Sequence, residues 1–127
     1  DKVRKIAIAN PDVAPYGKAA VEALKSTGIY EKIESKIVKG ENVQQAATFG
    51  ITGAADVAVV AHSLALQPTI ANEVNTYLID SKFHKKMIQA YVATKRGVAN
   101  PSAKKFLEFF ESKNGDAILK KYGFTLE

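Results

Sequence analysis

Residues Asp56-Val57-Ala58-Val59-Val60-Ala61 restrict the fold more than any other stretch of this chain. The run is continuous, small or β-branched, and lacks the polar–apolar alternation of a strand with one wet face. A strand of that kind belongs in a sheet covered on both faces, as in parallel α/β domains. The flanking sequence agrees. Lys5-Ile6-Ala7-Ile8-Ala9 reads as a second short buried strand, bounded by charge before it and Pro11 after it. A helical run to Lys25 follows, with Pro15 suited to its first turn and Ala20, Val21 and Leu24 on its apolar face. Ile29 to Ser35 reads as a short helix and Lys36-Ile37-Val38-Lys39 as a strand before Gly40. Asn42 is a good N-cap for a helix through Val43, Ala46, Ala47 and Phe49. Further strands are expected at Thr76–Ile79 and Met87–Ala93. Helices are expected from Pro101 to Ser112, with an apolar stripe of Phe106, Leu107, Phe109 and Phe110, and from Asp116 to Tyr122. The alternation predicts an α/β fold, a mostly parallel sheet with helices on both faces.

Composition narrows the classes. With 127 residues, 46% apolar and 24% charged, the chain can build one core. No apolar run reaches the roughly 18–20 residues of a membrane span. The net charge of +5 comes from lysines spread along helices among glutamates. The pairs Lys85-Lys86, Lys104-Lys105 and Lys120-Lys121 do not form the stripe expected of a nucleic-acid interface. There is no cysteine, which removes thiol catalysis, disulfides and Cys-ligated zinc together. The polar opening Asp1-Lys2-Val3-Arg4-Lys5 does not read as a signal peptide.

Catalytic patterns are missing as well. Gly50-Ile51-Thr52-Gly53 follows a helix instead of preceding one, so it is no phosphate loop. Ala61-His62-Ser63-Leu64-Ala65 lacks both glycines of a nucleophile elbow. His62 and His84 lie on different segments with no carboxylate at ligand spacing, so no metal site is expected. Asp12 and Glu41 read as charges set near helix starts, not as a catalytic pair. No catalytic residue is assigned. Two helix N-termini remain, one near Tyr16 and Gly17, the other near Asn42 and Val43. Each leaves about four backbone donors outside the helical ladder and carries roughly half a positive charge. In an α/β sheet both face the carboxyl edge of the strands, where such folds bind ligands. That arrangement suits a tetrahedral oxoanion.

Several motifs, in order, resemble one family. The stretch Ile6-Ala7-Ile8-Ala9-Asn10-Pro11-Asp12-Val13-Ala14-Pro15-Tyr16-Gly17-Lys18-Ala19-Ala20 is similar to the loop that opens a helix in the second lobe of periplasmic molybdate-binding proteins, the soluble receptors of molybdate ABC transporters. Gly40-Glu41-Asn42-Val43-Gln44-Gln45-Ala46 resembles their acidic-Asn-Val helix start, and Val57–Ser63 their buried strand. Gly115-Asp116-Ala117-Ile118-Leu119-Lys120-Lys121-Tyr122-Gly123-Phe124 resembles their C-terminal helix and closing Tyr-Gly-Phe.

The resemblance implies a type II periplasmic binding fold, here the three-layer second lobe with the N-terminal lobe missing. Residues 1–88 would form part of the ligand-binding lobe, and 89–127 a return segment that packs on the first lobe. The implied ligand is molybdate or tungstate, with no cofactor and no metal held by side chains. The implied donors are the main-chain N–H groups of Tyr16 and Val43, with Pro15, Gly17, Asn42 and Ala61 as neighbours. Ala61 stands where some relatives carry a tyrosine that adds a hydroxyl contact, and the Tyr16 ring would shield the anion. A rigid shell of N–H groups would reject the smaller sulfate by failing to reach it. The implied partners are the membrane permease of an importer and the missing lobe or a dimer mate, in the periplasm or outside the cell, associated with the membrane through the transporter. The alternative is a ligand-free fragment or interaction module that self-associates through the exposed face of its C-terminal helix. A ligand-sensing domain of a transcription regulator ranks third.

Overall fold

A computed structural model describes residues 2–126. The chain divides into two units, Asp1–Met87 and Ile88–Glu127. In the first, β1 (Ile6–Ala9), β2 (Ile37–Gly40) and β3 (Val57–Val59) form a parallel sheet in the order β2-β1-β3. The register pairs Ile6 with Ile37 and Val57, and pairs Ala9 with Gly40. Parallel neighbours need a crossover. Helix α1 (Pro15–Ser26) supplies the first, from β1 to β2, and α3 (Val43–Ile51) the second, from β2 back past β1 to β3. Two right-handed crossovers running in opposite directions across a sheet put their helices on opposite faces.

The core follows that geometry. Successive strand residues point to opposite faces, so Ile6 and Ile8 pack with Ala20 of α1, joined by Val21, Ile33, Ile37 and Val59. Ala7, between them, packs on the other side with Ala46 of α3 and Ala55, joined by Phe49, Ala58 and Val60. The helix layers lie close because the residues touching the sheet are small: Gly17, Ala19, Ala20 and Ala23 of α1, and Ala46 and Ala47 of α3, are buried.

The buried centre of the sheet is β1, not the 56–61 run. All four β1 residues are buried, whereas β3 is a three-residue edge strand whose Val57 is 42% exposed. An edge strand has a neighbour on one side only, and strand order is not written into the apolar content of one segment. Asp56 precedes the strand and ties it to the start of β1: its Oδ2 accepts the N–H groups of Arg4 (2.8 Å) and Lys5 (2.9 Å). These bonds, with the Arg4 guanidinium at 3.8 Å from Oδ1, hold its carboxyl below the usual aspartate range.

The helical expectation at 29–35 resolves into α2 (Tyr30–Ile33) and a 3-10 turn, Glu34–Lys36. After β3 the chain makes α4 (His62–Ala65), α5 (Pro68–Ala71) and another 3-10 turn, Ser81–Phe83, none of which the periodicity marked. Thr76–Ile79 and Met87–Ala93 are not strands: no ladder partner joins them among the described residues, and Tyr77 is 94% exposed. Their β-branched and aromatic content is real, but a strand exists only through pairing. The segment 83–87 instead lies along α1. Ser26 Oγ donates to the Phe83 carbonyl (2.9 Å), and the Lys85 N–H donates to Glu22 Oε2 (2.9 Å).

In the second unit, α6 (Lys95–Val98), α7 (Pro101–Phe110) and α8 (Lys113–Lys121) each begin at a side-chain cap, from Thr94, Asn100 and Ser112. Ser112 at the start of α8 explains why that helix opens three residues before Asp116. The aromatic stripe of α7 is only partly covered: Phe110 meets Tyr91 edge-on at 4.9 Å, while Phe106 and Phe109 are 63% and 48% exposed. Tyr91 also donates its hydroxyl to Glu111.

Candidate functional site

The carboxyl ends of β1 and β2 are neighbours, since Ala9 and Gly40 are register partners about 5 Å apart. A helix opens directly from each. The loop after β1 is folded by Asn10. Its Oδ1 accepts the Asp12 N–H (3.1 Å), its carbonyl accepts those of Val13 (3.3 Å) and Ala14 (2.9 Å), and its own N–H donates to the Gly40 carbonyl (2.7 Å). That last bond joins the loop of α1 to the strand end from which α3 opens.

Two glycines set the helix starts against the strand ends. A Cβ on Gly17 would lie 2.2 Å from the Ala9 carbonyl oxygen and 2.8 Å from Pro11 N. A Cβ on Gly40 would lie 2.9 Å from the Ala46 nitrogen. Any side chain there would push its helix away from the sheet.

In α1, Pro15 is the first residue and has no N–H. The ladder begins with Lys18 N–H on the Ala14 carbonyl (3.1 Å), so the N–H groups of Tyr16 and Gly17 precede it. In α3 the ladder begins with Ala46 N–H on the Asn42 carbonyl (3.2 Å). Asn42 Oδ1 takes the Gln45 N–H (2.9 Å), and Gln45 reaches back to the Glu41 N–H, a capping-box exchange shifted by one residue. Val43 and Gln44 are left as the N–H groups ahead of the ladder.

Neither α1 nor α3 has an acidic residue in its first turn, although acids stabilise a helix there. Helices α2 and α8 do carry them, Glu31 and Asp116. Asp12 and Glu41 precede the helices and are exposed. The third strand ends at the same edge, where buried Ala61 caps α4 and receives the Leu64 N–H (3.0 Å).

Of the residues singled out by sequence, Pro15, Tyr16, Gly17, Asn42, Val43 and Ala61 thus all lie on loops or helix starts at one sheet edge. Tyr16 and Val43 are half-buried. Three residues of the motifs have a role at this edge that the sequence did not assign: Asn10, which folds the loop; Gly40, which admits α3; and Gln45, which completes the cap. Asn-Pro-Asp and Asn-x-x-Gln are legible signals for the first and third. His62 starts α4, whereas His84 turns its Nδ1 to the Lys85 carbonyl (2.9 Å). Among the described residues, no group of three or more His, Asp or Glu side chains is placed to hold a metal ion.

Helix starts gathered at the carboxyl edge of parallel strands are the arrangement at which α/β binding folds take their ligands. The chain belongs to the bacterial extracellular solute-binding protein family, whose model matches residues 1–125. That is a family of binding proteins, not enzymes. It is 34% identical over 122 residues to the molybdate-binding protein ModA of Rhodobacter capsulatus, a match covering 96% of this chain and 47% of that one. Against ModA of Azotobacter vinelandii it is 30% identical over 124 residues, covering 98% and 49%. The solved periplasmic molybdate-binding protein of Azotobacter vinelandii superimposes with a TM-score of 0.86 at 29% identity, covering all of this chain and 56% of that one. The chain spans about half the length of these relatives. No helix among the described residues is long and apolar enough to cross a membrane.

Proposed function

We propose that this chain is the second lobe of a molybdate- or tungstate-binding component of an ABC importer. The anion is held at the carboxyl edge by the N–H groups of Tyr16 and Val43. The observation that carries the proposal is the register pair Ala9–Gly40, each strand end leading into a helix start fixed there by a close-approach glycine. Relatives named for molybdate binding supply the ligand class. A dianion can leave water only if its oxygens are hydrogen-bonded, and bonds to a charged acceptor are the strong ones. One lobe offers donors from one side. The other lobe, packing on residues 89–127, closes the shell, and the loaded receptor delivers its anion to the permease outside the cytoplasmic membrane.

Isothermal titration of this chain with molybdate and tungstate, with sulfate and phosphate as controls, tests the reading. Saturable binding of the two larger anions alone is the expected result, weak because half the shell is absent. Val43→Pro removes one donor cleanly. Proline is tolerated at the first helical position, and Asn42 before it is already extended (φ −147°, ψ 175°), as a residue preceding proline prefers. Loss of anion binding with an unchanged circular dichroism spectrum supports the placement; unchanged binding removes it. The exposure of Phe106 and Phe109 favours a second reading, self-association through α7. A dimeric mass in solution that reverts to monomer on Phe106→Ser would support it.

A further inference from the structure

The segment that follows the second 3-10 turn is anchored on successive turns of α1, Phe83 at Ser26 and Lys85 at Glu22. Each step moves it toward the start of that helix. It ends in a shallow cleft lined by Pro15, Lys18, Ala19 and Glu22 on one side, and Lys85, Lys86 and Met87 on the other. Positions 15, 18, 19 and 22 share one face of a helix. Three lysines therefore meet one glutamate beside the first turn of α1, and Glu22 already accepts the Lys85 main-chain N–H. Lys18, Lys85 and Lys86 are exposed.

A cation in the first turn opposes the helix dipole, so Lys18 is in an unfavourable place for stability. The arrangement is favourable for one thing, attraction of an anion to that helix start. We infer that Lys18 and Lys86 steer the incoming oxoanion to the carboxyl edge without contacting it once bound. The inference rests on the proposed oxoanion reading and adds the route by which the dianion arrives. Lys18 is two residues from Tyr16, about 3 Å along the helix axis. A tip roughly 10 Å from the site lies just beyond the Debye length of about 8 Å at physiological salt and well inside the roughly 30 Å of ~10 mM salt. A steering charge raises the association rate and leaves the dissociation rate alone.

The test is stopped-flow tyrosine fluorescence of the whole chain mixed with tungstate, comparing the unsubstituted protein with Lys18→Gln/Lys86→Gln. Coulombic attraction at that distance gives a roughly fivefold slower association at ~10 mM ionic strength, shrinking below about 1.5-fold at ~300 mM, with dissociation unchanged. Lys25→Gln/Lys32→Gln removes equal charge at the far end of α1 and beyond it, and should slow association by less than about twofold at low salt. Equal association rates in the Lys18/Lys86 pair and the unsubstituted chain overturn the inference and leave those lysines to a protein surface. Equal slowing by both pairs overturns it in favour of overall charge, and a faster dissociation overturns it in favour of direct contact. No oxoanion binding by the unsubstituted chain overturns the function proposed above, and this inference with it.

Discussion

At Gly17 the missing side chain is a requirement of position. The space a Cβ would fill is occupied by the backbone of Ala9 and Pro11, which has no rotamer to relieve the overlap. Gly17→Ala should therefore cost ~1–3 kcal/mol or more through displacement of α1 from the sheet. Chemical denaturation measures that loss, and a titration should find anion binding weakened further than stability alone explains. Gly40→Ala meets a main-chain nitrogen at 2.9 Å and acts on α3 in the same way. Asn42 works by hydrogen bonding. Asn42→Ala gives up the cap on Gln45 N–H, about 1 kcal/mol in urea unfolding, while Asn42→Ser should recover most of it. An Asn42→Ala chain as stable as the parent would mean that water caps α3 equally well.

Among the elements, the helices were the more legible. Pro15, Asn42 and Asn100 stand where helices α1, α3 and α7 begin, because caps and first-turn prolines are local chemistry. Strands were harder. Ile6–Ala9 and Val57–Val59 both announce themselves by content, yet which is central depends on the crossovers between them. Thr76–Ile79 and Met87–Ala93 have strand composition and nothing to pair with among the described residues. The helix starts that make up the candidate site could be read, but the Asn10–Gly40 bond that fastens them could not, since it depends on register. Strand attachment also carries a pH signature. The Asp56 carboxyl is held below its ordinary range chiefly by the N–H groups of Lys5 and Arg4. The folded chain therefore binds this proton less readily than the unfolded one. Its contribution is complete above an ordinary aspartate value of about 3.9 and disappears as pH falls through the lowered one. Thermal unfolding should show the midpoint dropping below about pH 4, and Asp56→Asn should start lower at neutral pH with a shallower acid decline.

The molecule as a whole pairs a well-covered sheet unit with a helical unit whose aromatic stripe is half open. The difference is one of supply. Residues 1–87 contain both helix layers for their own sheet, while Phe106 and Phe109 of α7 stay exposed. Supplying the first lobe of a relative in trans should protect the amides of α7 from hydrogen exchange if that lobe is the natural cover. Unchanged exchange across residues 101–110 would argue for another one. The bond from Asn10 N–H to the Gly40 carbonyl has a consequence at this scale too. On the proposed function it spans the gap between the two helix openings like the fixed jaw of a caliper, and would gauge the size of anion accepted before any anion arrives. On the proposed reading, gentle loosening of this unit by heat or urea should first admit sulfate, and only later release the larger oxoanions.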